Sequence, residues 1–173
     1  MIRKARVDDA EKIARIHVLA YRGIVPQEYL AALSEEKRAV FWRDQLTVGR
    51  GITLVALEEG EVVGWASGGP SEVSASSLGS EVYAIYLAPA FWRRGVGRAL
   101  MKEIEGMLRG SVVLWVLREN QSARRFYEAL GYLPDGAEKE ADFGGIRLTE
   151  IRLRKKSPTL RVLFRRSAKR DPG

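Results

Sequence analysis

Apolar positions in the first half of the chain recur first at helical spacing and then at the spacing of strands. Positions three and four residues apart predict an amphipathic helix over residues 9–21, which Asp8 and Asp9 are placed to cap. Two later apolar runs are separated by a short acidic turn, which is typical of a β-hairpin. The predicted elements of this half are a strand over residues 2–7, helices over 9–21, 26–33 and from Ser34 onward, and strands over 52–57 and 62–66.

Strands and helices alternate in the second half. The segment 111–117 is the most apolar strand of the chain, which suggests burial on both sides. The order strand–helix–strand–helix–strand, following an antiparallel hairpin, indicates an α/β or α+β sheet with helices on both faces. The predicted elements are strands over residues 82–87, 111–117, 132–133 and 146–153, with one helix after each of the first two strands and Gly131 ending the second helix.

Charge is concentrated at one end of the chain. The 173 residues carry a formal net charge of +7, but residues 152–173 alone hold nine Lys or Arg side chains and one acid. We therefore expect one domain over residues 1–155 and a basic, flexible tail over residues 156–173. The tail offers the only predicted route to nucleic acid, and its alternative interpretation is a solubilising end.

Two absences in the sequence limit the chemistry. There is no cysteine, which excludes disulfides, thiolate metal sites and a cysteine nucleophile. The longest stretch without a charged residue, 82–92, is shorter than the roughly 18 apolar residues that a membrane span needs. We expect a cytoplasmic protein with no metal site and no membrane contact.

The segment 85–100 carries the most informative pattern, because a strand runs through a basic, glycine-containing turn directly into a helix. Glycines let backbone N–H groups approach a phosphate, and the helix start adds positive potential, to which Arg93 and Arg94 contribute charge. A dinucleotide fingerprint would need a third glycine at position 100, which is leucine, and a P-loop would need Gly-Lys where this chain has Gly97 and Arg98. The sequence predicts a pyrophosphate site of another kind.

Two motifs carry a family resemblance. The first is Trp92-Arg93-Arg94-Gly95-Val96-Gly97, and the second is the downstream succession Asn120-x-x-Ala123, Phe126-Tyr127-Glu128 and Gly131-Tyr132. The chain resembles the GNAT superfamily of acyl-CoA-dependent N-acyltransferases, whose main motif is Gln/Arg-x-x-Gly-x-Gly/Ala, and it departs from that motif only at Trp92. The resemblance covers roughly residues 1–155. It implies the GNAT fold, an α/β (α+β) domain with a mixed, mostly antiparallel central sheet of about six to seven strands flanked by helices on both faces.

The resemblance also implies an activity and a set of site residues. The activity is N-acetyl transfer from acetyl-CoA to a primary amine of a small molecule or peptide. Tyr127 is implied as the general acid for the CoA thiolate, since a phenol with a pKa of about 10 stays protonated at neutral pH. The other implied cofactor contacts are the backbone edge of a strand toward pantetheine, backbone amides around the pyrophosphate, and Asn120. The residues concerned are Ile85, Tyr86, Leu87, Trp92, Arg93, Arg94, Gly95, Val96, Gly97, Arg98 and Asn120.

The base that receives the amine's proton is left open. Glu81 lies eleven residues before Trp92, an offset at which histone-type members of the family carry a glutamate. Burial would raise the pKa of such a carboxyl, as a base requires. Tyr83, two residues on and expected on the same side of the strand, is a comparable candidate, and so is a water. His17 is the only histidine, but a histidine on a helix face is more often structural.

The acceptor amine is not named by any motif. The segment 21–30 and the Ser-rich loop 71–80 resemble the family's variable acceptor wall. Two other functions stay open, a CoA-binding module without efficient catalysis and a protein that acts through nucleic acid bound by its tail. A homodimer is also left open.

Overall fold

The computed structural model describes residues 1–49, 51–71 and 79–155, and seven strands and five α-helices lie in them. The predicted basic tail, residues 156–173, and most of the Ser-rich loop lie outside these ranges. The strands are β1 (Ile2–Lys4), β2 (Ile52–Glu58), β3 (Glu61–Pro70), β4 (Ser80–Leu87), β5 (Val112–Leu117), β6 (Leu133–Phe143) and β7 (Ile146–Lys155). The helices are α1 (Ala10–Tyr21), α2 (Gln27–Ala32), α3 (Glu35–Val48), α4 (Val96–Met107) and α5 (Gln121–Glu128).

The strands form one sheet in the order β1-β2-β3-β4-β5-β7-β6. Each neighbouring pair is antiparallel except β4 and β5, which are parallel. Two adjacent parallel strands need a crossover connection, and α4 supplies it. The predicted fold class, a mixed and mostly antiparallel sheet flanked by helices on both faces, is confirmed.

Two apolar cores cover the two faces of the sheet. On one face α1 and α3 pack on β2, β3 and β4 through side chains that include Ile13, Trp42 and Trp65. On the other face α4 and α5 contribute Leu100 and Tyr127, among others, to the larger core. The helices are therefore held by the amphipathic faces that their spacing predicts.

The sequence predicts that Asp8 and Asp9 cap α1, but the Asp9 side chain makes a tertiary contact instead. The Asp9 side chain makes no capping bond to the helix; it accepts two hydrogen bonds from the Arg3 guanidinium, at 2.7 and 2.9 Å, and one from the Arg6 backbone N–H at 2.7 Å. The Arg3 hydrogen bond is the largest cause that lowers the pKa of Asp9, although burial opposes it. This buried carboxylate ties β1 to the beginning of α1.

The strand prediction near the end of the domain is too short. The sequence predicts a strand only at residues 132–133, whereas β6 continues to Phe143 and pairs with β7 through a turn at Gly144 and Gly145. Most of β6 is exposed and it has only one neighbour in the sheet. An exposed edge strand needs no alternating apolar pattern, so the periodicity gave no signal for it.

Candidate active site

The parallel pair β4–β5 separates part-way along its length. Pairing runs from Ser80 opposite Val112 to Val82 opposite Leu114 and stops there. Beyond that point β4 continues to Leu87 paired only with β3, and β5 continues paired only with β7. Within the described sheet, the facing edges of the two strands therefore have no partner strand. We call this opening the strand split; an extended ligand with amide groups can pair with such edges.

A β-bulge lies at the closed end of the strand split. Gly68 of β3 pairs with Val82, and Ser67 pairs with Ala84, so Tyr83 is the extra residue on β4. A bulge interrupts the alternation of side chains, which removes the basis for expecting Tyr83 on the same side as Glu81. The Tyr83 hydroxyl donates a hydrogen bond to the Pro70 carbonyl at 2.7 Å.

The start of α4 lies beyond the end of β4, next to the open end of the strand split. Gly95, at φ 83°, occupies the cap position, and no side chain in the described part of the chain caps this helix. Its first intrahelical bond is from Ala99 to Gly95, which leaves the N–H groups of Val96, Gly97 and Arg98 without a helical partner. Uncapped N–H groups at the positive end of a helix suit a phosphate.

Arginines surround this helix start. Arg93, Arg94 and Arg98 are all exposed. Arg94 lies 3.8 Å from Glu58 and 5.2 Å from the centre of the Phe91 ring. Within residues 1–49, 51–71 and 79–155, Arg93 and Arg98 form no ion pair, so their charge is available to an anion.

Trp92, the residue that departs from the family motif, has a defined place in the turn. Its indole N–H donates a hydrogen bond to the Leu87 carbonyl at 3.0 Å, while 51% of the residue's surface stays exposed. Its backbone N–H is already donated to the Pro89 carbonyl at 3.2 Å. The resemblance implies a backbone role for Trp92; it gives no signal that the side chain fastens the turn to the end of β4.

Gly97 allows α5 to pack closely on α4. A Cβ at this position would lie 3.3 Å from the Phe126 ring and 3.4 Å from the Leu87 side chain. The second glycine of the motif therefore lets the last turn of α5, which carries Phe126 and Tyr127, approach the start of α4. On α5, the Asn120 side chain accepts a hydrogen bond from the Ala123 N–H at 3.0 Å and caps the helix.

Tyr127 lies in the last turn of α5, next to the residue that meets α4. Its neighbour Phe126 is the ring that approaches Gly97. Tyr127 packs in the core that also holds Val116, in the part of β5 that has no partner on β4. It also acts on the pKa of Tyr86, in the unpaired part of β4, so it lies beside the strand split.

Tyr127 is buried, with 8% of its surface exposed, and packs against the rings of Phe126 and Tyr132. Among the residues that the structure describes, none hydrogen-bonds its hydroxyl. Burial raises the pKa of this phenol above its usual value, so it holds its proton at neutral pH. The geometry therefore offers a proton donor with no competing acceptor.

The remaining predicted site residues lie along β4. Glu81 is half-buried, lies opposite Val113 at the closed end of the strand split, and accepts a hydrogen bond from the Ser71 hydroxyl at 3.3 Å. Ile85 packs into the core under α4 and α5, whereas Tyr86 packs on the α1 side. Part of the predicted acceptor wall meets the β6–β7 turn, where a Cβ on Gly144 would lie 3.4 Å from the Tyr29 ring.

Comparison with family models decides the classification. The model described as "Acetyltransferase (GNAT) family" matches residues 11–132, more than half of the chain. The chain belongs to this acetyltransferase family. The family and the enzyme class predicted from the sequence are thereby confirmed.

Similar proteins agree with this assignment. The chain is 34% identical over 161 residues to the "Uncharacterized N-acetyltransferase YuaI" of Bacillus subtilis, which covers 88% of this chain and 90% of that protein. It is 31% identical over 101 residues to the "Peptidyl-lysine N-acetyltransferase YiaC" of Escherichia coli, covering 55% of this chain and 63% of YiaC.

Solved structures share the fold. The PaiA N-acetyltransferase of Thermoplasma acidophilum, in complex with coenzyme A, has a TM-score of 0.68 at 20% identity and matches 91% of this chain and 98% of its own. The putative acetyltransferase YncA of Salmonella typhimurium, with acetyl-CoA, has a TM-score of 0.69 at 21% identity, covering 90% and 92%. In the described residues there is no cluster of side chains that could hold a metal ion, and no helix long and apolar enough to cross a membrane.

Proposed function

We propose that this protein transfers an acetyl group from acetyl-CoA to a primary amine of a small molecule or peptide, by direct attack of the amine on the thioester. The observation that carries the proposal is the strand split. An uncapped, arginine-rich helix start lies at its open end, and a buried tyrosine of α5 lies beside its unpaired strands. The complexes of PaiA with coenzyme A and of YncA with acetyl-CoA support the choice of co-substrate.

The chain's own groups divide the binding of the co-substrate between them. The N–H groups of Val96, Gly97 and Arg98 would bind the diphosphate, with Arg93 adding charge. The free edge of β4, at residues 85–87, would pair with the amides of the pantetheine arm. An arm held in this way points from the phosphates at α4 toward Tyr127 on α5.

The reaction needs a proton donor and a proton acceptor beside the thioester. The amine lone pair attacks the thioester carbonyl carbon, a C–N bond forms, the C–S bond breaks, and its electron pair goes to sulfur. Tyr127 donates its proton to that sulfur, and the proton lost by the amine goes to Glu81, to Tyr83 or to a water. The chain has no cysteine, so no acyl-cysteine intermediate forms.

The test is acetyl-CoA turnover with a panel of primary amines, followed as free thiol release, with acetyl-CoA binding measured separately by calorimetry. We expect binding without any amine and thiol release that depends on the amine. Binding with no turnover on any amine would favour a CoA-binding module. No binding of acetyl-CoA would overturn the proposed function altogether.

A further inference from the structure

His17, on α1, is a buried histidine whose ring nitrogens have no partner. Only 7% of its surface is exposed. Its ring stacks on Tyr86 with the ring centres 4.7 Å apart and meets the edge of Tyr21 at 4.6 Å. Neither Nδ1 nor Nε2 makes a hydrogen bond within the described residues.

A buried imidazole without partners costs folding free energy that an apolar side chain of similar size would not cost. Buried polar atoms in proteins nearly always have a partner, so an unpartnered one calls for a role or a bound molecule. Packing alone does not require a histidine here, because its neighbours are the aromatic rings of Tyr21, Trp65 and Tyr86. An apolar side chain of similar size would fill the same space. In a neutral ring one nitrogen donates and the other accepts, so the accepting nitrogen lacks a group that offers an N–H or O–H and the donating nitrogen lacks an acceptor.

The position of His17 relates it to the strand split. Tyr86, on which it stacks, lies in the part of β4 that has no partner on β5. Burial and the nearby Tyr21 and Tyr127 phenols raise the pKa of Tyr86, so Tyr86 and Tyr127 lie within electrostatic reach of each other. His17 packs on the α1 face and Tyr127 in the core of the opposite face. An amine held at His17 would thus approach a thioester in the strand split from the side opposite Tyr127.

Aromatic rings surround this place. Tyr29 lies 6.3 Å from Tyr21 and 5.1 Å from Phe143, ring centre to ring centre. Tyr21 and Tyr29 are partly exposed, so His17 is reached by displacing one of their rings. We call Tyr21, Tyr29, Tyr86 and Phe143 the aromatic site. Its surface favours an apolar or aromatic body over a polar one.

Two charged groups act on this region. Arg38 of α3 donates a hydrogen bond to the Tyr29 hydroxyl at 3.2 Å; burial first, and then this guanidinium, lower the pKa of His17 to about 3. His17 is therefore neutral near pH 7, with one nitrogen lone pair available. Glu150 of β7 acts on Tyr21 and Tyr86 but lies 3.3 Å from the Lys139 ammonium, which offsets its charge.

We propose that His17 accepts a hydrogen bond from the amine of the acceptor, and that the acceptor carries its primary amine on an apolar or aromatic body seated in the aromatic site. This inference rests on the proposed N-acetyltransferase function and names its substrate class. His17 orients the amine lone pair toward the thioester. It does not take the proton, which leaves Glu81, Tyr83 or a water as the base.

Since His17 is the only histidine of the chain, its ring resonances are assigned without ambiguity in an NMR spectrum. We would add 2-phenylethylamine to the full chain in complex with CoA, with glucosamine as the polar control. We expect the unprotonated ring nitrogen of His17 to shift with 2-phenylethylamine and not with glucosamine. An unchanged resonance at saturating amine, or equal shifts with both amines, would overturn the inference.

Kinetics with variants separate this role from a structural one. In His17→Leu we expect the KM for 2-phenylethylamine to rise about 2- to 10-fold, the effect of one neutral hydrogen bond, with the KM for acetyl-CoA unchanged. His17→Gln, which keeps an acceptor atom, should recover part of the loss. Trp42→Phe is the matched control, because it removes another buried, unpartnered ring nitrogen from the core under α1 and α3.

The outcomes distinguish this inference from the proposed function. If thiol release persists and the amine KM is the same in wild type and His17→Leu, the role of His17 is wrong while the enzyme class stands. If no amine of the panel releases thiol, the proposed function fails; the His17 resonance then reports directly whether the amine binds.

Discussion

Replacing Tyr127 by phenylalanine removes one oxygen from beside the strand split and leaves the ring packing in place. Because no described residue hydrogen-bonds this hydroxyl, the fold loses no bond. The hydroxyl oxygen is not among the fully buried polar atoms that lack a partner, so the free energy of unfolding should change little. Activity should nevertheless fall.

The size of the fall follows from the chemistry. A positioned general acid contributes about 10²- to 10⁴-fold. A thiolate is a better leaving group than an alkoxide, since the ordinary pKa of a thiol is about 8.5. Burial raises the pKa of Tyr127 further above that value, which makes complete proton transfer less favourable. We therefore expect an effect at the lower end of the range for a general acid. The decrease in kcat should be about 100-fold, which corresponds to about 2.7 kcal/mol of activation free energy.

The assay combines kcat from thiol release, acetyl-CoA affinity by calorimetry and the unfolding free energy from urea titration. Tyr132→Phe is the matched control, because that fully buried hydroxyl donates a hydrogen bond to Glu105 at 2.8 Å. We expect the control to lose stability and keep its kcat, the reverse of Tyr127→Phe. The reasoning is refuted if Tyr127→Phe keeps wild-type kcat, or if its loss of activity comes with a larger loss of stability than the control.

Further changes test separate parts of the structure. Gly97→Val should raise the KM for acetyl-CoA at least tenfold, because its side chain pushes α5 away from α4. The control on the same helix is Gly106→Ala, which has open space at its Cβ and should raise the free energy of unfolding by about 0.5–1 kcal/mol. Trp92→Phe loses the bond to the Leu87 carbonyl and should raise the same KM about 2- to 10-fold, an effect absent if the indole only lies on the surface. Burial lowers the pKa of His17, so its contribution to the free energy of unfolding is present above about pH 6.5 and is lost as the pH falls toward about 3. In that window, urea titrations should show wild type losing about 1.4 kcal/mol of unfolding free energy per pH unit relative to His17→Leu. Parallel curves for the two proteins would contradict this.

The parts of the site that the sequence predicts are those coded within one short segment. The turn at residues 92–98 carries its glycines and arginines close together, and Asn120 lies directly before the helix that it caps. The local structure of both segments can therefore be predicted without the fold. Tyr127 follows from α5 in the same way, since its place on the helix is set by its distance from the cap.

The parts that the sequence does not predict depend on partners distant in the chain. The bulge at Tyr83 exists only because Gly68 pairs with Val82, and a Cβ on Gly68 would lie 2.8 Å from the Glu81 carbonyl. The aromatic site joins residues of α1, α2, β4 and the end of β6. Its last member, Phe143, lies in a strand whose exposed, charged residues give no periodic signal. The burial of His17 follows from these contacts and not from its helix.

A structure of the protein with bound CoA tests the central claim most directly. It should show the pantetheine arm between β4 and β5, the diphosphate against the first N–H groups of α4, and the sulfur within hydrogen-bonding distance of the Tyr127 hydroxyl. Coenzyme bound outside the strand split, or a sulfur facing away from Tyr127, would contradict the account.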